Sequence, residues 1–422
     1  MLKRIGVVVL ALALIGGGAF YALVVWPVRE PHPTPYKATG VLAIEHARIL
    51  VHPDSAPIAD GTVVVRDGVI EAVGPDARVP AGATRVPCSG CTVTAGFWNV
   101  HVHFTEPKWR EASGGSAATI EAALADMTLS RGFTTVVDLG SDLRSTLALR
   151  RRIEHGELRG PTILTAGSSL YPPHGIPYYL SDIPAAIRAL MPQPASPAEA
   201  RADVETDIAR GSDVLKLFTG SLVRPDSVLP MPEPVARAAV EVAHARGQVA
   251  FAHPSSLAGM RVAIAAGVDV LAHAPSQTRG VSDSLLGDAV RRHMAMAPTL
   301  KMFAVTVTRD SGFLQPIVDV VRRYRALGGT LLFGTDVGYM TDYTTAEEFA
   351  LLARAGVDAR ELLRMLTASP AARLGVAATQ GTVMAGRRAD LVLLDGDPST
   401  DVGAFARVRA VVRAGAVAWE RK

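Results

Sequence analysis

The sequence predicts an α/β chain built around a (β/α)8 barrel, with a small β-sandwich made from both ends of the chain and an N-terminal membrane anchor. Three observations carry this. Between residues 96 and 375, short apolar β-prone runs alternate with amphipathic helical patterns. The runs number eight: Phe97–His103, Thr134–Val137, Thr162–Thr165, Val214–Phe218, Val249–Ala252, Val268–Ala272, Met296–Thr299 and Thr330–Gly334. Residues able to ligate a metal stand at the C-terminal ends of several runs, where such barrels carry their chemistry.

In chain order, residues 1–27 come first as an anchor or signal segment. Lys3 and Arg4 precede Ile5–Trp26, which has no charge and is long enough to cross a bilayer as a helix. The bulky Phe20–Trp26 stretch stands where a small-residue cleavage site would be, which favours an uncleaved anchor over a secretory peptide. The basic flank predicts a cytoplasmic N-terminus. The remainder would then lie in the cell envelope, periplasmic or extracellular, or be secreted if the segment is cleaved. Residues 28–39 read as a proline-stiffened linker containing Pro31, Pro33 and Pro35.

Residues 40–95 and 376–422 read as short strands, with Asp67-Gly68 as a hairpin turn, and together form the expected sandwich. Cys88 and Cys91 lie between two β-prone stretches, so a local structural disulfide is the plainer reading of Cys-Ser-Gly-Cys. The helices Ala117–Arg131, Glu233–Arg246, Asp283–Met294 and Phe313–Leu327 alternate with the barrel strands, and Ala346–Ala355 and Ala359–Thr367 finish the barrel. Composition agrees: 49% of residues are hydrophobic and 20% charged, ample for a large core. The net charge of +3 comes from interspersed signs with no basic stripe, which argues against nucleic acid as a partner.

The chemistry gathers at the strand ends. His101 and His103 are alternate residues of one strand and project from one face, where two imidazoles suit Zn²⁺; a solvent-facing pair is the plain alternative. Lys216 interrupts an otherwise apolar strand. His253, His273 and Asp336 each follow a strand directly. Alone, each has a structural explanation: a lysine snorkels, a histidine caps a backbone group, an aspartate caps a helix. Six such residues at five strand ends make a constellation.

From residue 40 onward the chain resembles the amidohydrolase superfamily, in its imidazolonepropionase-like and prolidase-like branch. The resemblance rests on Ala95-Gly96-Phe97 leading into His101-Val102-His103, on Arg131–Asp138, and on Gly334-Thr335-Asp336. Thr367–Gly375 and the tail from Gly381-Thr382-Val383 through Ala389–Val392 add to it. It implies that His101, His103 and Asp336 hold one divalent ion and that His253 and His273 hold a second. Lys216, carboxylated on its amine, would bridge them. Zn²⁺ is the first expectation, with Mn, Co or Fe open. A hydroxide shared by the two ions would attack a carbonyl, with Asp336 as general base and then acid. The implied activity is cleavage of an amide C–N bond in a small molecule such as a dipeptide or N-acyl amino acid.

Three alternatives stand beside it: a single-metal, imidazolonepropionase-like hydrolase of a cyclic amide or lactone, a non-catalytic envelope binding protein, and a scaffolding membrane protein. His174, in a Pro/Gly-rich loop, either stabilises a developing oxyanion and touches substrate or is a surface histidine. Tyr339 and Tyr343 either line the pocket or cover it, and Glu106, Trp109 and Arg110 are placed to reach ligand. His32, His46, His52, His155, His244 and His293 lie away from strand ends and read as structural or exposed. Homo-oligomerisation is expected with no sequence feature to support it.

Overall fold

The computed structural model describes residues 35–306 and 312–422. Five strands come first: β1 (Val41–Ile49), β2 (Ile58–Arg66), β3 (Val69–Gly74), β4 (Thr84–Pro87) and β5 (Cys91–Ala95). Then β6 (Phe97–Val102), β7 (Phe133–Asp138), β8 (Thr162–Thr165) and β9 (Val214–Leu217) alternate with helices. A ribbon of β10 (Gly220–Arg224) and β11 (Ser227–Pro230) interrupts them. The alternation resumes with β12 (Val249–Ala252), β13 (Val270–Leu271), β14 (Ala295–Met296) and β15 (Thr330–Leu331). The chain ends on β16 (Leu391–Asp395), β17 (Val408–Arg413) and β18 (Ala416–Glu420).

Strands β6, β7 and β8 pair in parallel, as do β9, β12, β13, β14 and β15. Two seams join these groups into a ring. Leu170 exchanges backbone hydrogen bonds with Lys216 and Phe218 beside β9, and Val100 of β6 donates to the Phe333 carbonyl at 2.9 Å. Apolar side chains from around the ring, including Val100, Val137, Val214, Phe251, Val270, Ala295 and Leu332, fill a buried interior cluster. A larger cluster packs beneath the surrounding helices. The interior is therefore a packed core, and chemistry is left to the ends of the strands.

The strands from both chain ends form one eight-stranded sheet in the order β18-β17-β16-β5-β1-β2-β3, with β4 also on β1. The strands expected as a β-sandwich from both chain ends are thus hydrogen-bonded into one sheet. β5 pairs in parallel with β1 and antiparallel with β16, so the two terminal segments join edge to edge. A separate apolar cluster including Ile44, Val63, Val93, Leu391 and Val412 forms beneath it. Asp67 and Gly68 both take positive φ, 47° and 76°, as a two-residue hairpin turn between β2 and β3 requires. Cys88 and Cys91 are joined by a disulfide in the turn before β5.

The membrane expectation is corrected. Among the described residues no helix is long and apolar enough to cross a membrane. The segment expected to do so, residues 1–27, lies outside the described residues, as does most of the 28–39 linker. The anchor, the membrane partner and the cell-envelope location find no support among the described residues.

One glycine ties the fold to the site. Gly338 has φ +99°, and a Cβ there would stand 1.8 Å from the His103 carbonyl oxygen. Gly338→Ala is expected to cost about 1–3 kcal/mol from the backbone strain alone and to push His103 away from Asp336. Thermal unfolding of the variant checks this, and an unchanged melting temperature would contradict it.

Candidate metal centre

The geometry begins with an irregularity in β6. Its register shifts between Asn99 and Val102, and the Asn99 side-chain oxygen accepts the His101 N–H at 3.2 Å. The Asn99 amide donates to the Thr335 hydroxyl at 2.7 Å. A bulge of this kind re-aims the side chains beyond it. Across the seam, the Asp336 N–H donates to the His101 carbonyl at 2.8 Å and the His103 N–H to the Val337 carbonyl at 2.7 Å. Asp336 itself is left-handed at φ 60°, a conformation its short polar side chain tolerates.

These constraints bring the six expected ligands together. His103 Nε2 lies 3.0 Å from Asp336 Oδ1, and His101 Nε2 lies 3.3 Å from the same oxygen. His273 Nε2 lies 3.8 Å from Oδ2. One ligand atom each from His101, His273 and Asp336 fall within 4.8 Å of one another. Lys216 Nζ is 3.5 Å from His101 Nε2, and the His253 ring stands 4.7 Å from that of His273. His253 is also stacked on Phe218, which stacks in turn on Tyr171, giving the centre an aromatic flank.

The electrostatics suit cation binding. His103 Nδ1 sits 2.9 Å from the Gly140 carbonyl, which only accepts, so Nδ1 carries a proton and neutral His103 turns an Nε2 lone pair toward Asp336. Burial holds His101, His253 and His273 well below the usual imidazole range, with Lys216 and neighbouring histidines adding to the effect. Burial also lowers Lys216 to about 7, partly opposed by the Asp336 charge. For His103, burial is outweighed by the hydrogen bond and charge of Asp336, so its pKa rises. His101 Nδ1 is buried without a hydrogen-bond partner. Lone pairs and carboxylate oxygens thus face one another, and either a proton on His103 or a cation must lie between them. The nitrogen and oxygen donors fit a divalent ion.

The other expected residues divide. His174 is exposed in a left-handed turn at φ 58° and makes no hydrogen bond or ion pair with any of the six. Tyr339 is 44% exposed, with its ring 5.5 Å from Tyr179, and feels the charge of Asp336. Tyr343 is buried and hydrogen-bonded to Glu106 and Lys108, Trp109 is buried, and Arg110 is exposed. His244 is exposed and pairs with Asp269 at 2.8 Å.

Sequence reasoning missed Asn99, Asp138, Tyr179 and Thr299. Asp138 is buried at the end of β7 and accepts from the Gly140 N–H and the hydroxyls of Ser141, Thr146 and Thr165, holding Gly140 against His103. The same strand-end rule that singled out those six residues would have found it.

Glu348 is a buried carboxyl away from the ligands. It accepts the N–H groups of Leu300 at 3.0 Å and Lys301 at 2.6 Å, yet burial pushes it up from 4.5 to about 7. Between those values the folded state holds a proton that the unfolded state lacks, so this group's contribution to stability falls as pH rises and levels off above about 7. The melting-temperature difference between wild type and Glu348→Gln is expected to move against wild type across that window. A difference constant with pH would contradict it.

The amidohydrolase family profile matches residues 92–418. The chain belongs to the amidohydrolase family. The ochratoxinase of Aspergillus niger is 25% identical over 411 residues, covering 88% of this chain and 84% of that protein. A Xaa-Pro dipeptidase structure with methionine bound in its active site superposes with a TM-score of 0.78 at 21% identity, over 90% of this chain and all of the other. The A. niger ochratoxinase structure superposes with a TM-score of 0.72 at 20% identity, over 90% of this chain and 96% of that one. This amidohydrolase is a hydrolase of carbon–nitrogen bonds.

Proposed function

We propose that this amidohydrolase cleaves the amide bond of a dipeptide or N-acyl amino acid at the strand-end cluster, with His101, His103, Lys216, His253, His273 and Asp336 holding two divalent ions. The observation that carries the reading is the convergence of imidazole lone pairs on the Asp336 carboxylate. A buried amine lowered to about 7 has ready access to its neutral form, the form that takes up CO₂ to give an oxygen ligand. Bound ions supply Lewis acidity that polarises the scissile carbonyl and activates water. Asp336 accepts the proton of the attacking water on a carboxylate oxygen and delivers it to the leaving nitrogen. Tyr339, partly exposed beside Asp336, touches the substrate. His174 acts only if its loop carries it inward to meet the oxyanion.

One observation favours a single ion: the tight trio is His101, His273 and Asp336, while His253 meets it only through the His273 ring. That version suits a cyclic amide or lactone. The test is hydrolysis of a panel of dipeptides, N-acyl amino acids, cyclic amides and lactones by metal-loaded protein. Turnover of the first two classes supports the proposal. Turnover of cyclic substrates alone overturns it in favour of the single-ion reading.

A further inference from the structure

Resting on the metal-binding reading above, we infer that Thr299 is the positioning residue that fixes His273 as an Nε2 ligand, and that Glu348 keeps Thr299 where it can do so. Thr299 follows β14, is fully buried and has φ 49°. A β-branched residue in the left-handed region is an outlier, and strain of this kind concentrates at functional sites. Its hydroxyl donates to the Pro298 carbonyl at 2.9 Å, which commits its single proton. With that proton given to the Pro298 carbonyl, the hydroxyl accepts at the 2.7 Å contact with His273 Nδ1. His273 then carries its proton on Nδ1, and the Nε2 lone pair turns toward Asp336 Oδ2.

The chain after Thr299 is held by Glu348, on the helix Ala346–Arg354, whose carboxylate takes the next two backbone N–H groups. Lys301 Nζ reaches the carbonyls of Asp342 and Thr344 and the Asp342 carboxylate, so the loop beyond Asp336 is tied to the same point. One clamp thus secures the turn behind His273 and the loop that follows Asp336. Sequence reasoning could not find it, because a threonine after a short strand carries no spacing signal.

The test uses the full chain, metal-free and labelled with ¹⁵N-histidine, read by NMR above the imidazole range, with His273 assigned from a His273→Gln spectrum. Wild type is expected to show His273 as the Nδ1–H tautomer. Thr299→Val removes the acceptor and is expected to mix or reverse the tautomer. It should also weaken cobalt binding, followed by its visible absorption, by about tenfold to a hundredfold. Thr299→Ser is expected to restore both. If the valine variant does not fold, Thr299→Ala gives the same readout without the β-branch, and Glu348→Gln is expected to loosen the tautomer in part. A Val or Ala variant that keeps the Nδ1–H tautomer and full cobalt affinity overturns the inference. If wild type binds no cobalt, the metal reading fails, while the tautomer measurement still decides the role of Thr299.

Discussion

Asp336→Asn is expected to leave the fold intact and to lower kcat/KM by at least about 10²–10⁴-fold, the range of a lost general acid–base. Asparagine has the same shape and, like aspartate, tolerates the left-handed φ of 60°. The backbone N–H that donates to the His101 carbonyl is unchanged, so the seam between β6 and β15 survives. What disappears is the charge on which His101, His103 and His273 converge, and with it the proton acceptor. Kinetics on the best substrate, beside melting temperatures, check this. An active variant of unchanged stability would remove Asp336 from the chemistry.

Lys216→Met is expected to act in two directions at once. Nζ is buried beside His101, and its pKa is lowered from 10.5 to about 7. Folding must therefore give up a proton or bury a charge. The sign follows from linkage: between those values the unfolded chain holds the proton and the folded chain does not, so the lysine's penalty grows as pH falls toward about 7. Metal-free Lys216→Met should thus be more stable than metal-free wild type by about 1–4 kcal/mol, the range for replacing buried charge with apolar packing. The gap should be widest at and below pH 7. Under the proposed two-ion site the metal-loaded comparison should reverse, because the variant would lack the oxygen ligand that a carboxylated Lys216 would supply. Denaturant melts with and without metal measure both. A variant less stable in the metal-free state would contradict the account of the lysine.

Much of the barrel was legible because each strand is a short apolar run closed by a polar residue. Thr162–Thr165 and Val249–Ala252 match their expected bounds, while β13, β14 and β15 are two residues each. The strand-end positions of His101, His103, Lys216, His253, His273 and Asp336 were legible in the sequence, and the structure brings them near one another. Asn99 and Thr299 could not, because hydrogen bonds to a ligand's backbone or far nitrogen leave no periodicity in the chain. The joining of β5 to β16 was equally hidden, since local pattern says which residues are strand and not which edges meet. The apolar run of residues 1–27 lies outside the described residues, and His174 was singled out for its loop but lies exposed.

The most direct test of the metal centre is elemental analysis of the full chain purified with added bicarbonate, beside Lys216→Met. The account predicts about two divalent ions per wild-type chain and about one or fewer in the variant. Wild-type protein that retains no divalent metal would contradict it.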